Sequence, residues 1–458
     1  MRRVGDTIAA IATPPGEGGL GVVRLSGPDA LALARGVFEP LPPVLRSRHL
    51  YLGHVVEPRD RARLDQAFLA WFKAPRSYTA EDLVELQCHG SPRVLARLLD
   101  NLVALGARRA ERGEFTERAF LNGRLDLTQA EGILDLISAQ TDVGLREAGA
   151  HLDGALRAEV DRLRDDLLAL LGQTEVNLDF VEDDVPVFRR GDLLDRAARL
   201  DTRLSDLVAS YESGVRLRQG FRVVLAGRAN TGKSSLFNRL VGHERVLVDA
   251  APGTTRDWIE ERVEFSGLPL RLVDTAGFRA GGGEVESAGQ LNASRLLAEA
   301  DLVVLVLDRS ERASPDDAAT ASRVEAQRLL PVLNKSDLPS RITDADLSFL
   351  KRVPPTEVSA LTGDGLGTLQ GRIAGTLRTR FKPPRPDGVL LARERHRDLM
   401  ARAQGALRNS MQEMQVGSPL EIVALPLYDA LHALDELLGK GAPDEVLNRI
   451  FGDFCIGK

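Results

Sequence analysis

The run Gly227-Arg228-Ala229-Asn230-Thr231-Gly232-Lys233-Ser234 follows strand-like residues Phe221 to Ala226 and leads into an apolar segment. This spacing reads as a phosphate-binding loop. Glycines let successive backbone N–H groups turn toward phosphate oxygens, Lys233 reaches the β/γ-phosphates, and the Ser234 hydroxyl ligates Mg²⁺. The positive end of the following helix adds to the field. Asp274-Thr275-Ala276-Gly277 follows the alternating Leu270-Arg271-Leu272-Val273. There a carboxylate holds the metal's water shell and the Gly277 N–H meets the γ-phosphate. Asn334-Lys335-Ser336-Asp337 closes the apolar strand Leu329 to Leu333. Its aspartate accepts from a guanine's ring N–H and exocyclic amine, whereas adenine offers the opposite edge, so the motif selects GTP over ATP. Ser359-Ala360, after Pro355 to Val358, is expected to back the base.

Gly253-Thr254-Thr255-Arg256-Asp257 lies where a GTPase keeps its first switch, and Thr255 is the expected second protein ligand of Mg²⁺. The second switch runs from Phe278 to Gly289, with a mobile Gly281-Gly282-Gly283 run expected inside it. Phe278 stands where many signalling GTPases carry a water-orienting glutamine, so the attacking water needs another anchor. Arg279, Glu284 and Glu286 are the nearby candidates. Asn230 offers an amide oxygen to a monovalent cation, whose charge would replace that of an arginine finger.

At 458 residues the chain exceeds one ordinary domain, and a prior of roughly 150 residues per domain suggests about three. Hydrophobic content of 43% with 28% charged residues fits an ordinary globular protein. No uninterrupted apolar stretch approaches about 18 residues, and the start lacks a signal-peptide core, so a cytoplasmic protein with no membrane contact is expected. The two cysteines, Cys88 and Cys455, have no metal-ligand spacing, which argues against a disulfide scaffold or a zinc site. A net charge of −6 gives no global attraction to nucleic acid. RNA contact would need local patches such as Arg378, Arg380, Lys382 and Arg385, or Arg393, Arg395 and Arg397, whose default reading is solvated surface or linker.

These elements imply a multidomain α/β chain. Over 1–120, apolar runs at Ile8–Ala12, Gly21–Leu25, Ala67–Phe72 and Leu83–Cys88 alternate with turns and with helical stretches at Pro28–Arg35 and Pro92–Leu105, which predicts an α+β domain. From 121 to 217 the period turns helical. Thr128 to Glu131 reads as a capping box, Leu152 to Leu170 as a long amphipathic helix or two, and Leu193 to Val208 as another. Residues 218–380 alternate strand and helix as a doubly wound sheet requires. Helical periodicity returns in 381–458, so one helical bundle interrupted by an inserted α/β domain is expected.

Beyond the nucleotide motifs, the chain carries Asp6-Thr7-Ile8, Ala12-Thr13-Pro14-Pro15-Gly16, Gly18-Gly19, Arg24, Tyr78-Thr79-Ala80-Glu81-Asp82, Glu85 to Gly90, Gly113 to Asn122 and the terminal Phe454-Cys455-Ile456-Gly457-Lys458. On these it resembles, over nearly its whole length, the tRNA-modification GTPases called MnmE or TrmE. The resemblance implies a Ras-like P-loop GTPase domain inserted in a discontinuous helical bundle. It also implies an N-terminal folate-binding-like domain that dimerises and holds a tetrahydrofolate derivative of 5-formyl or methylene type. It further implies a homodimer working with an FAD-dependent partner, MnmG or GidA, in a heterotetramer-type complex. FAD enters only through that partner, and the complex places an aminomethyl-type group on carbon 5 of the wobble uridine of certain tRNAs.

Carried onto matching positions, the resemblance makes Arg24, Glu85, Arg124 and Lys458 folate contacts, Cys455 the family's carboxyl-terminal cysteine, Glu286 the orienter of the catalytic water, and Arg279 a switch arginine. It assigns potassium to Asn230 and Thr254 with backbone carbonyls of Asp249 and Ala251. The expected nucleotide contacts are Asn230, Thr231, Gly232, Lys233, Ser234, Ser235, Asp249, Ala250, Ala251, Pro252, Gly253, Thr254, Thr255, Asp274, Thr275, Ala276, Gly277, Asn334, Lys335, Ser336, Asp337, Ser359 and Ala360. Arg124 stands where relatives often have lysine, and Asp249 and Ala251 replace the common threonine and isoleucine. From the residues alone, Cys455 reads equally as an inert thiol on a flexible tail. A ribosome-assembly GTPase and a non-catalytic folate-binding module are the competing classes.

Overall fold

The computed structural model describes residues 5–139, 141–179, 189–243, 259–275, 294–350, 353–381 and 388–458. The chain forms two compact units. The first takes Met1–Leu134, His151–Arg157 and Asp435–Lys458. Its strands are β1 (Ile8–Ile11), β2 (Gly18–Ser26), β3 (Phe38–Glu39), β4 (Leu50–Val56), β5 (Arg63–Phe72), β6 (Leu83–Gly90) and β7 (Arg108–Arg109). They make one seven-stranded sheet in the order β3-β4-β5-β6-β2-β1-β7, antiparallel except between β1 and β7. Val23, Leu25, Val84 and Leu86 pack with α1 (Ala30–Val37) and α2 (Pro92–Ala104). Successive strand residues face opposite ways, so the register that pairs Arg24 with Glu85 puts both on the other face of the sheet.

A second core in this unit joins α3 (Glu114–Leu121) and α4 (Leu127–Ser138) to the helix Asp444–Gly452 through Phe120, Leu127, Ala130, Phe451 and Phe454. The capping box of α4 differs from the expected Thr128–Glu131. Asp126 Oδ1 accepts from the N–H of Thr128 at 2.8 Å and of Gln129 at 3.1 Å, and Gln129 Oε1 accepts from Asp126 N–H at 3.1 Å. The Thr128 hydroxyl donates to the same carboxylate at 2.6 Å, because an anion answers the orphan amides and positive end of a helix better than a hydroxyl does.

The last residues are docked and do not form the flexible tail that composition suggests. Arg112 and Ile456 form a β-bridge, Arg112 Nε donates to Phe454 O at 2.9 Å, and Phe115 N–H donates to Lys458 O at 3.1 Å. Phe454 is fully buried, which carries 435–458 into this unit although periodicity groups them with the helices before them.

The second unit takes Asp135–Ala150 and Ala158–Leu434. Before its sheet come α5 (Asp142–Leu152), α6 (Ala155–Asp179) and α7 (Arg190–Gln219); beside it lie α8 (Lys233–His243), α9 (Pro315–Ser322) and α10 (Leu366–Arg380); after it come α11 (Glu394–Val416) and α12 (Leu420–Leu437). The strands β8 (Phe221–Ala226), β9 (Ile259–Phe265), β10 (Leu268–Asp274), β11 (Leu302–Asp308), β12 (Leu329–Asn334) and β13 (Thr356–Glu357) order as β13-β12-β11-β8-β10-β9. Every residue of β11 is buried, as its unbroken apolar run requires of a central parallel strand. β9 departs from the parallel pairing of the other strands: it pairs antiparallel with β10. The link is the two-residue turn Ser266-Gly267, with φ of +52° and +83°, and such a turn returns the chain as a hairpin.

Helices α7 and α11 run together where the α/β domain joins them. A Cβ on Gly214 would lie 2.2 Å from Leu391 O, so only glycine permits that approach. Asp135 accepts from Arg218 Nε at 2.6 Å and Arg393 Nη2 at 2.8 Å, and Ser213 Oγ donates to Phe381 O at 3.1 Å. The outgoing and returning chain therefore lie side by side at the insertion.

Gly457 has a φ of +92°, and a Cβ there would meet Ile11 O at 2.4 Å. Gly457→Ala is expected to release the tail at a local cost of about 1–3 kcal/mol. Carboxypeptidase digestion followed by mass spectrometry reads this as faster trimming of Lys458; trimming at the unsubstituted rate would show that docking does not depend on this turn.

Candidate functional site

The phosphate loop leaves the C-terminal end of β8, a usual ligand site on an open α/β sheet. Two of its glycines have no substitute. A Cβ on Gly227 (φ +140°) would sit 2.4 Å from Val306 O, and one on Gly232 (φ +88°) 2.2 Å from Asn334 Nδ2. Between them Asn230 holds φ +66°, a left-handed conformation unusual for a residue with a Cβ, and its exposed amide has no hydrogen-bond partner among the described residues. Thr231 Oγ1 donates to Arg228 O at 3.1 Å and Lys233 Nζ to the same carbonyl at 2.7 Å, which holds the buried lysine on the loop. Ser234 and Ser235 are exposed on the first turn of α8. Asp274 ends β10 in register with Leu225 of β8, and Thr275 Oγ1 donates to Leu225 O at 2.8 Å. The buried Asp274 carboxyl thus stands beside the root of the loop.

The base-recognition motif closes the next strand but one. Asn334 Nδ2 donates to Thr231 O at 2.8 Å, and its Oδ1 accepts from Ala360 N–H at 3.0 Å. One buried side chain therefore bolts the phosphate loop to the Ser359-Ala360 loop. Lys335, at φ +64°, donates to Asp308 Oδ2 at 2.5 Å. Burial pushes the Asp308 carboxyl up, but hydrogen bonds from Lys335 and Ser310 outweigh it and hold the group below its ordinary range. Ser359 Oγ donates to Asp337 Oδ1 at 2.5 Å and so orients the exposed carboxylate. Sequence reasoning missed Arg239 on α8, which donates to Ala360 O at 3.1 Å and Leu361 O at 2.6 Å. It missed Asp308 as well. Arg239 lies outside every nucleotide motif, so no local signal marks it. Asp249, Ala250, Ala251, Pro252, Gly253, Thr254, Thr255, Ala276, Gly277, Phe278, Arg279, Glu284 and Glu286 lie outside the described residues.

A second constellation occupies the first unit. Arg24 Nε and Nη2 donate to Glu85 Oε1 at 3.0 and 2.8 Å, and Nη1 donates to Gly457 O at 3.3 Å. Its guanidinium lies 5.5 Å from the Tyr78 ring centre and 5.7 Å from that of Phe115. Arg124 lies 5.4 Å from the Tyr78 ring centre and donates to Ser77 O at 2.6 Å. Burial raises the Tyr78 phenol above its ordinary range, with the Thr116 hydrogen bond and both arginines opposing that rise. Arg24, Glu85 and Arg124 therefore gather around one aromatic ring. Lys458 joins them through its backbone contact to Phe115, and Cys455 is exposed on the docked tail. Two cations and a carboxylate about an aromatic face suit a ligand with a flat ring and anionic ends.

The basic clusters suggested by the sequence are occupied internally. Arg378 donates to Ser266 O, Arg380 to Asp301 O at 2.7 Å and Arg393 to Asp135, while Arg397 binds Glu394 and Asp398 and Arg395 also has a partner. Lys382 and Arg385 lie outside the described residues. No helix among the described residues is long and apolar enough to cross a membrane.

A glycine-built phosphate loop, a carboxylate at its root and an aspartate held for a guanine edge define a P-loop GTPase, an enzyme that hydrolyses GTP. Residues 127–455 match the family model for the MnmE helical domain, and residues 7–124 match that for the GTP-binding protein TrmE N-terminus. The chain belongs to the MnmE (TrmE) family. It is 42% identical over 456 residues to the tRNA modification GTPase MnmE of Geobacter sulfurreducens, covering 99% of this chain and 100% of that protein. With the protein of the same description from Natranaerobius thermophilus it shares 37% identity over 456 residues, 99% of each chain. Among solved structures, the G domain of the T. maritima FeoB iron transporter is 26% identical and covers 34% of this chain and 98% of that one, with a TM-score of 0.26.

On the reading of Asp337 as the base-selecting residue, Asp337→Asn removes the acceptor for two guanine donors, and charge-assisted hydrogen bonds are worth about 1.5–3 kcal/mol each. Calorimetric titration is expected to show GTP binding weakened by about 100-fold or more, with xanthosine triphosphate gaining because its 2-carbonyl accepts from the new amide. Unaltered GTP affinity would reject the assignment of Asp337.

Proposed function

We propose that this GTPase acts in tRNA modification. With an FAD-dependent partner of the MnmG type, it serves the addition of an aminomethyl or carboxymethylaminomethyl group to carbon 5 of the wobble uridine, the carbon coming from a tetrahydrofolate derivative. The observation that carries the reading is the presence, in one chain, of a phosphate loop with an Asp337 carboxylate oriented by Ser359 and of the Arg24, Glu85, Arg124 and Tyr78 constellation closed by the docked tail. Folate's glutamate carboxylates suit the two guanidiniums, and the amino edge of its pterin suits a carboxylate acceptor. The Glu85 carboxylate is paired with Arg24, so both side chains are oriented before any ligand arrives.

In the phosphate site, Ser234 and Thr255 would hold Mg²⁺, which supplies charge neutralisation for the transferred phosphoryl group. Asn230, with Thr254 and the backbone carbonyls of Asp249 and Ala251, would hold potassium. The exposed Asn230 amide, with no hydrogen bond among the described residues, fits that donor role. Lys233 binds phosphate oxygens, Asp337 selects the base, and Asn334 keeps the two loops in register. Glu286 would orient the attacking water and Arg279 would order the switch. A homodimer, a heterotetramer-type complex with the FAD-dependent partner and a cytoplasmic location complete the proposal, with the exposed Cys455 thiol as a candidate catalytic group.

GTP turnover is expected to be severalfold faster in potassium than in sodium, and Glu286→Ala to slow turnover while nucleotide affinity stays within about twofold, since catalytic water positioning is worth far more in rate than in binding. Equal rates in both salts would refute the cation site. In cells lacking the protein, mass spectrometry of tRNA nucleosides is expected to show unmodified wobble uridine; intact modification, with no second enzyme present, would refute the tRNA reading.

A further inference from the structure

We infer that Arg46, Arg48, Lys73 and Arg76 form a binding surface for the phosphate backbone of RNA, an inference that rests on the tRNA reading above. All four side chains are exposed, on the two loops that flank β4 and β5 of the first unit. Hydrogen bonds stitch these loops together: Arg48 N–H to Trp71 O at 2.7 Å, Lys73 N–H to Ser47 Oγ at 3.0 Å, and Arg48 Nη2 to Arg76 O at 2.9 Å. Residues far apart in sequence thereby become one cationic surface.

Many other arginines of the same unit are neutralised by carboxylates, and the exposed ones that are not, such as Arg59, Arg63 and Arg93, lack the cross-loop hydrogen bonds that gather these four. Arg61 pairs with Glu39, Arg97 with Glu57 and Arg109 with Asp100, while Arg108 and Arg118 share Asp6, Glu81 and Glu114. Arg46, Arg48, Lys73 and Arg76 have no ion pair among the described residues. The two acidic residues of the same loop are engaged elsewhere: Asp82 accepts from Ala74 N–H at 2.8 Å, and Glu81 from the Ser26 hydroxyl at 2.7 Å and Arg118 Nη1 at 3.1 Å. Clustered like charges repel in a folded chain of net charge −6, and a phosphate backbone relieves that repulsion while releasing its counterions. Arg48 adds a second sign of constraint: at φ +63° it holds a backbone state that costs energy for any residue with a Cβ.

Position gives the surface its use. The loop that carries Lys73 and Arg76 continues into Ser77, whose carbonyl holds Arg124, and Tyr78, whose ring lies against Arg24 and Arg124. RNA phosphates bound here bring the strand beside the candidate carbon-donor site. Among the described members of the two basic clusters visible in the sequence, Arg378, Arg380, Arg393 and Arg397 are tied to partners within the second unit.

The test uses the full chain with Arg46→Gln, Lys73→Gln and Arg76→Gln combined, keeping Arg48 and its loop contacts. Fluorescence anisotropy with a tRNA transcript between 50 and 200 mM KCl is expected to show about tenfold or greater weakening at low salt, and a salt slope smaller by about 2–3 charges. GTP turnover is expected to stay as in the unsubstituted chain. Equal tRNA affinity and slope in both proteins would overturn the inference. So would a change in sedimenting mass on substitution, which would make the surface a contact between copies, or binding of anionic vesicles with no binding of tRNA by the unsubstituted chain. Wobble modification in cells separates the two readings. If the unsubstituted gene restores it and the triple variant does so equally with undiminished tRNA binding, only the surface fails; if the unsubstituted gene restores nothing, the tRNA reading itself fails.

Discussion

One buried amide sets the spacing on which nucleotide recognition depends. Asn334 gives its NH₂ to the phosphate loop and takes an N–H from the base loop, so the distance between the two ends of a bound nucleotide is fixed by a group with no freedom of its own. An unpaired amide at that depth would cost on the order of 1–3 kcal/mol. Both loops must therefore be in place together, and Gly232 is obligatory because any Cβ would strike this same amide. Arg239 repeats the tie from the phosphate-loop helix to the carbonyls of the base loop. The phosphate loop and the Ser359-Ala360 loop are thus one mechanical unit, assembled from β8, β12 and α8.

The other unit follows similar logic with different chemistry. Arg24 is held by a carboxylate on its sheet neighbour, by the carbonyl of Gly457 and by two aromatic faces, so its guanidinium is oriented from several directions at once. The tail that supplies Gly457 reaches this place because Phe451 and Phe454 are buried beside α3 and α4. Apolar burial near the end of the chain thereby determines a polar contact at a ligand-sized site, and the exposed thiol of Cys455 is carried along with it.

Much of this was legible from local rules. A phosphate loop announces itself because its backbone geometry demands glycine at fixed offsets, and Asp274, Asn334 and Asp337 lie at strand ends where the α/β pattern places ligands. Elements that depend on distant partners were not legible. In the first unit β3, β4 and β7 were missed: β4 carries a glycine and exposed leucines, and β3 and β7 are two residues each, held only by β4 and β1. Composition gave the antiparallel edge no warning beyond the Ser266-Gly267 turn. The cap of α4 was displaced because Asp126 competes successfully with Thr128 for the same amides. The described members of the basic clusters read from the sequence are tied internally, while the exposed cations meet only through the pairing of β4 with β5.

Helix α7 runs through 30 residues, about 45 Å, from Arg190, which donates to the carbonyls of Met414 and Ser418, to Arg218 and Gly220 at the junction with the α/β domain. It is anchored at both ends and clasped by α11 near the junction, so it behaves as a stiff lever and not as a linker. A tilt of about 10° at the junction displaces the far end by about 8 Å over that length. An angular change at the α/β domain would therefore be magnified into translation at the α11–α12 corner, at a distance that no chain of side-chain adjustments would need to cross.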